Sequence, residues 1–246
     1  MVTLKNPFIL ALDVSDESLA FDLATQVGER VGAIKLGPRL LMRGIAPRMA
    51  ALLPNTPLFF DIKLFDIPNT VEASLEAAVE MGAKMVTVHG LGGRSMLQAA
   101  RRVEQRHSDL LVIPVTILTS WTNQDLTANF QSWSIRQHVS VLLELVADLG
   151  FRAVVCSQEE MDLAHGFGLK TVIPGVRLTH ANEAGATVNF HDQKRVGDLK
   201  QVLQRGGWAV VLGRAVVESP DPVQTVETIL CEIAELQRRI NGWGIE

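Results

Sequence analysis

The sequence predicts an α/β protein folded as a single-domain (β/α)8 TIM barrel spanning residues 1–246, on three observations. Short β-rich runs alternate with longer helical patterns from end to end, and eight such units in 246 residues match the size of a closed parallel barrel. Charged and polar residues recur at the C-terminal ends of many different runs, which is how a barrel assembles a site. An open doubly wound sheet, the runner-up, concentrates its ligand contacts at one switch point, typically with a glycine-rich turn after the first strand. No such turn follows Asp13.

The strands are expected at 8–13, 33–37, 58–63, 85–89, 111–117, 153–156, 169–174 and 208–213. The first ends in Asp13 and the second carries Lys35. In the third, residues two apart share a face, so Asp61 and Lys63 emerge side by side while Phe60 and Ile62 face the opposite layer. Asp66 lies just past that strand, and Pro68 suits the first turn of the next helix, where its missing N–H costs nothing. The fourth strand ends in His89, read as a positioning or packing residue.

Residues 90–95, GLGGRS, resemble half a dinucleotide fingerprint, but the last position is serine and the stretch follows the fourth strand. It reads as a tight turn into a helix capped near Ser95. Thr119 follows the fifth strand, and Arg177 and Arg214 follow the seventh and eighth. The 17 residues of 178–194 exceed the roughly 12–15 common for structureless connections and read as a flap over a ligand. The last helix shows in Val223, Val226, Ile229, Leu230, Ile233, Leu236 and Ile240, which recur near a 3.6 period after Pro220 and Pro222.

Composition narrows the function classes. A hydrophobic share of 47% supplies a continuous core, and no run reaches the roughly 20 apolar residues of a membrane span. With no signal peptide recognisable at the N-terminus, a cytoplasmic protein without membrane partners is expected. A net charge of −4 argues against a sequence-independent nucleic-acid surface. Arg101, Arg102, Arg106, Arg238 and Arg239 fall at helical spacing and read as solvated faces. Two cysteines, Cys156 and Cys231, are too few for a disulfide framework or a sulfur-rich metal site and read as packed thiols.

The chemistry is expected in the third strand. Lys35, one strand earlier, adds a second cation to Asp61, Lys63 and Asp66, giving an alternating array whose members hold one another charged and oriented. Such an array protonates a carbanion with a lysine, and Lys63 as an ammonium ion is a proton donor and a poor Schiff-base nucleophile. A structural ion-pair network at a barrel mouth is the plainer reading of the same residues. Arg177 and Gly213-Arg214 stand where barrels of this class bind phosphate, and Gln193 in the long loop is placed to reach the same anion.

With Ala11-Leu12-Asp13, Lys35-Leu36-Gly37, the block DIKLFDIPNTV at 61–71, Leu118-Thr119-Ser120, Pro174-Gly175-Val176-Arg177, Asp192-Gln193 and Gly213-Arg214 in this order, the chain resembles the orotidine 5′-phosphate decarboxylases. The resemblance implies a homodimeric barrel that converts orotidine 5′-monophosphate to UMP and carbon dioxide, the last step of pyrimidine nucleotide synthesis, with no metal or organic cofactor. By the same resemblance Lys63 donates a proton to C6, Asp61 sits against the substrate carboxylate, and Lys35 with Asp13 contacts ribose. Asp66 and Ile67 enter the neighbouring subunit's site, and Thr70 joins the substrate contacts. Thr119 and Ser120 lie near the pyrimidine, and Arg177, Gln193, Gly213 and Arg214 hold the 5′-phosphate. Leu178 stands where the family commonly has proline. The chain has no tyrosine, so Arg177 or backbone groups replace any tyrosine contact to phosphate. Alternatives are a metal-dependent sugar-phosphate decarboxylase or synthase of the same barrel class, and a non-catalytic phosphate-ligand sensor.

Overall fold

The computed structural model describes residues 2–129, 133–177 and 197–242. Its strands are β1 (Phe8–Leu12), β2 (Ala33–Leu36), β3 (Leu58–Leu64), β4 (Ala83–His89), β5 (Leu111–Val115), β6 (Ala153–Val155), β7 (Lys170–Pro174), β8 (Val176–Arg177), β9 (Gly197–Asp198) and β10 (Ala209–Leu212). Eight of them close in the order β1-β10-β7-β6-β5-β4-β3-β2, every pairing parallel. Closure removes the open-sheet alternative, because no edge is left for a switch point. All eight expected strands are barrel strands, with ends shifted by one or two residues. The pair β8–β9 was not expected; it lies outside the barrel and aligns Arg177 with Asp198.

Helices α1 (Glu17–Val27), α2 (Pro38–Leu41), α3 (Ala46–Leu52), α4 (Pro68–Glu80), α5 (Gly93–Arg106), α6 (Asn123–Asn129), α7 (Ile135–Asp148), α8 (Met161–Gly166), α9 (Leu199–Gln204), α10 (Arg214–Val217) and α11 (Pro222–Gly242) fill the connections. Their starts follow local chemistry. Asp16 accepts from the Ser18 N–H at α1, Ser134 and Gln137 form a capping box at α7, and Pro68 occupies the first turn of α4. Such a cap contributes about 0.5–2 kcal/mol. None of the helices, among the described residues, is long and apolar enough to cross a membrane.

Two hydrophobic layers follow from strand periodicity. Phe8, Leu10, Ile34, Phe60, Val86 and Val112 face outward and pack with Leu23, Leu75, Leu97 and Ile229 of the helices. Ile9, Ala11, Ala33, Phe59, Met85, Ile113, Val172 and Val211 fill the barrel itself. Inward positions recur every second residue, so the series Ala11, Ala33, Phe59, Met85 and Val211 continues to Asp13, Lys35, Asp61, Thr87 and Gly213. The floor of the site is apolar barrel core, and its lining is the next step up each strand.

Three local expectations are corrected. Ser95 does not cap a helix: the His89 side chain accepts from the Leu91 N–H to start a 3-10 turn at Gly90–Gly92, and α5 begins at Gly93. Cys156 is buried, but Cys231 points outward from α11 and is exposed. Arg101 is not a solvated group, since it reaches inward to the fully buried Glu104, which also binds Arg152. Arg102 and Arg106 do lie on the surface, paired with Glu72 and Glu76 of α4.

Candidate active site

Four side chains at the ends of β1, β2 and β3 form a continuous chain of opposite charges. The Lys35 ammonium lies 3.2 Å from Asp13 Oδ1 and 3.3 Å from Asp61 Oδ2, and Lys63 Nζ lies 2.8 Å from Asp61 Oδ1. Burial opposes the charge on Lys35, but the carboxylates of Asp61 and Asp13 outweigh it and hold the group above the ordinary lysine range. Burial likewise opposes the Asp61 carboxylate, and the two lysines overcome it and hold its pKa below the usual value. Asp61 is therefore an anion fixed between two cations, with Lys63 the more exposed of the pair at 37% against 10% for Lys35.

The lysine reaches Asp61 through an irregularity that flat alternation did not anticipate. Phe60 pairs with Val86 and Leu64 with Val88, so residues 61–63 of β3 lie opposite Thr87 alone. Such a bulge breaks the pleat and re-aims side chains. Lys63 has φ +47°, the one positive value outside glycine among the described residues. A left-handed backbone at a non-glycine residue costs about 1–3 kcal/mol and persists where surrounding contacts impose it. Here the Thr87 hydroxyl accepts from the Lys63 N–H at 2.9 Å and donates to Asp61 Oδ1 at 3.0 Å. Thr87 was not singled out in the sequence.

Asp66 does not join this chain of contacts within one protomer, contrary to the expected Lys35-Asp61-Lys63-Asp66 array. It is exposed beyond the end of β3, and its carboxylate accepts from the Ile67 N–H at 2.7 Å. Phe65 and Ile67 on either side are 63% and 67% exposed, and Thr70 is exposed in the first turn of α4. The Phe65 ring stacks on His89 with centroids 5.5 Å apart. Burial, with a smaller contribution from Lys63, pushes the His89 imidazole below its usual pKa, in keeping with a packed and neutral ring.

Thr119 and Ser120 are the central residues of a turn closed by the Trp121 N–H on the Leu118 carbonyl at 3.0 Å. At β10, Gly213 passes so close to β1 that an added Cβ would sit 3.2 Å from both Ala11 Cβ and the Ala11 carbonyl oxygen. That approach also brings Gly213 near Asp13, and half-buried Arg214 opens α10 immediately after it. The Arg177 backbone leaves β7 through β8. Leu178, Gln193 and the 178–194 loop lie outside the described residues.

Comparison with known proteins agrees with this geometry. The profile of the "Orotidine 5'-phosphate decarboxylase / HUMPS family" matches residues 6–229. An orotidine 5′-phosphate decarboxylase of Wolbachia pipientis is 32% identical over 94% of this chain and 100% of its own length. One of Chromobacterium violaceum is 35% identical over 93% of this chain and 92% of its own. Among solved structures, an orotidine 5′-phosphate decarboxylase of Lactobacillus acidophilus superposes with a TM-score of 0.77 at 26% identity, covering 93% of this chain and 99% of that one. With a matching profile over most of its length, near-complete relatives above 30% identity and the same closed barrel, the chain belongs to the orotidine 5′-phosphate decarboxylase / HUMPS family.

Proposed function

We propose that this protein decarboxylates orotidine 5′-monophosphate to UMP and carbon dioxide, with Lys63 as the proton donor. The observation that carries the reading is the position of Lys63: an ammonium 2.8 Å from a buried carboxylate, at the end of a barrel strand. The substrate's C6 carboxylate lies against Asp61. Breaking the C6–carboxylate bond leaves its electron pair on C6 and releases carbon dioxide; Lys63 stabilises that charge and delivers the proton that completes UMP. Asp61 stays ionised throughout, because Lys35 neutralises its second oxygen.

The other proposed roles rest on the family resemblance. Lys35 and Asp13 bind ribose, Thr119 and Ser120 meet the pyrimidine from their turn, and Arg214 with Gly213, Arg177 and Gln193 holds the 5′-phosphate. Phosphate binding far from C6 supplies binding energy that is used at the reacting carbon, so a substrate without phosphate loses turnover as well as affinity. Asp66 and Ile67, exposed in one protomer, enter the site of a second copy and make the enzyme a homodimer; the exposed Phe65 and Ile67 supply apolar surface for that contact.

A metal-dependent sugar-phosphate decarboxylase or synthase is the second reading, because barrels of that class share the Asp-x-Lys-x-x-Asp spacing seen here in Asp61, Lys63 and Asp66. It requires carboxylates open to a cation, whereas Asp61 already accepts from Lys35, Lys63 and Thr87. The deciding experiment is absorbance-monitored turnover of orotidine 5′-monophosphate in chelator, with Lys63→Ala alongside. Lysine-dependent formation of UMP supports the first reading. Strict metal dependence overturns it in favour of the second, and nucleotide binding without turnover favours a sensor.

A further inference from the structure

We infer that Thr87 is a positioning residue for the reaction: its hydroxyl holds the Lys63 backbone in a left-handed conformation and orients the Asp61 carboxylate, so that the lysine ammonium is aimed at the reacting carbon. The inference rests on the reading of Lys63 as the proton donor. It starts from an observed outlier, the positive φ of Lys63, and asks what sustains it.

A fully buried position in β4, flanked by Val86 and Val88, favours a β-branched apolar side chain. A hydroxyl there is tolerated only when its hydrogen-bonding capacity is used. Thr87 uses it on two neighbouring groups, accepting from the Lys63 N–H and donating to Asp61 Oδ1. Lys63 Nζ binds the same oxygen of Asp61, closing a ring that runs from the Lys63 amide through Thr87 and Asp61 to the Lys63 ammonium. Backbone and side chain of one residue are thereby fixed relative to each other. Thr87 is also the single β4 residue opposite the bulge, so no second group on that strand is in register to replace it. Thr87 itself does not touch the reacting atoms; it acts through Lys63 and Asp61.

The test compares Thr87→Val, which keeps the branched shape and removes the hydroxyl, with Thr87→Ser, which keeps the hydroxyl. Thr87→Val is expected to fold, to bind UMP within about threefold of wild type, and to lose roughly 30-fold in kcat, the scale of a lost hydrogen bond to a charged group. Thr87→Ser is expected to restore kcat, and the Lys63 amide is expected to exchange faster in Thr87→Val. Unchanged kcat in Thr87→Val, an equal loss in Thr87→Ser, or losses that merely track UMP affinity overturn the inference. Should Thr87→Val not fold, Thr87→Cys against Thr87→Ser repeats the contrast with a poor hydrogen-bonding group: a lower kcat for cysteine supports it and equality overturns it. Wild-type protein that fails to decarboxylate the nucleotide sinks the proton-donor reading instead. In that case unchanged Lys63 amide exchange and φ in a crystal structure of Thr87→Val still overturn the positioning claim.

Discussion

Lys35 Nζ lies 3.3 Å from Asp61 Oδ2, on the opposite oxygen from the one taken by Lys63. This division separates two tasks. Lys35, nearly buried and shared with Asp13, keeps the carboxylate ionised, while Lys63 stands on the side more open to a ligand. Removing either lysine should therefore have different consequences.

Lys63→Ala is expected to leave the barrel folded and UMP bound while kcat falls by at least about 10⁴-fold, the combined scale of a lost general acid and lost electrostatic stabilisation. Single-turnover assays beside equilibrium UMP binding check this. Turnover near the wild-type rate would remove Lys63 from the mechanism.

Lys35→Met should act on stability as well as rate. It leaves Asp61 with Lys63 and Thr87 as partners but removes the more deeply buried counter-charge. Breaking a buried pair costs about 3–5 kcal/mol, and the lower end is expected because two partners remain. Urea unfolding at neutral pH measures it, and an unchanged midpoint would mean that Asp61 does not need Lys35 to stay ionised.

The pKa shifts set a pH window for the same array. Asp61 is depressed in the folded state, so its contribution is present above its unfolded pKa of about 3.9 and is lost as pH falls through the folded value. Lys35 is raised, so its contribution is complete below about 10.4 and is lost as pH rises through its folded value. The array should thus stabilise the protein evenly from about pH 4 to about pH 10. Asp61→Asn should flatten the acid limb of a stability profile measured by urea unfolding. An acid limb of the same steepness in the variant would assign that loss to other carboxylates.

Legibility in the sequence followed how local each signal was. The strands are apolar runs set off by polar ends, and period two alone carries inward positions from Ala11, Ala33 and Phe59 up to Asp13, Lys35 and Asp61. Pro68 marked the start of α4 for an equally local reason. The bulge was hidden because it is a mismatch in pairing between β3 and β4, and no residue type in DIKL announces it. Thr87 was hidden with it, since threonine between two valines is also what an ordinary strand contains. Asp66 turns outward next to Phe65, whose ring stacks on His89, a contact between residues 24 apart that local sequence does not display.

Arg214→Ala is expected to raise KM and weaken UMP binding by roughly 10–100-fold, the scale of one charge-assisted hydrogen bond, without altering the fold. A nucleoside lacking the phosphate should be insensitive to the substitution. Equal UMP affinity for the variant and wild type would move the phosphate away from α10.

The shared site proposed for the dimer makes a prediction that no single-protomer mechanism shares. Lys63→Ala and Asp66→Ala should each be nearly inactive as pure dimers, since each loses one member of every site. Mixing the two and allowing exchange yields dimers in which one site lacks both groups and the other lacks neither. At random pairing of equal amounts, half the dimers are mixed and each holds one intact site, so activity should recover to about a quarter of wild type. Ile67→Asp places a charge on exposed apolar surface beside Asp66 and should shift sedimentation toward monomer, reducing activity in step. Recovery after mixing, with loss of it in chains that also carry Ile67→Asp, would assign Asp66 to the partner's site. No recovery in a preparation proven by sedimentation to contain mixed dimers would return Asp66 to its own protomer.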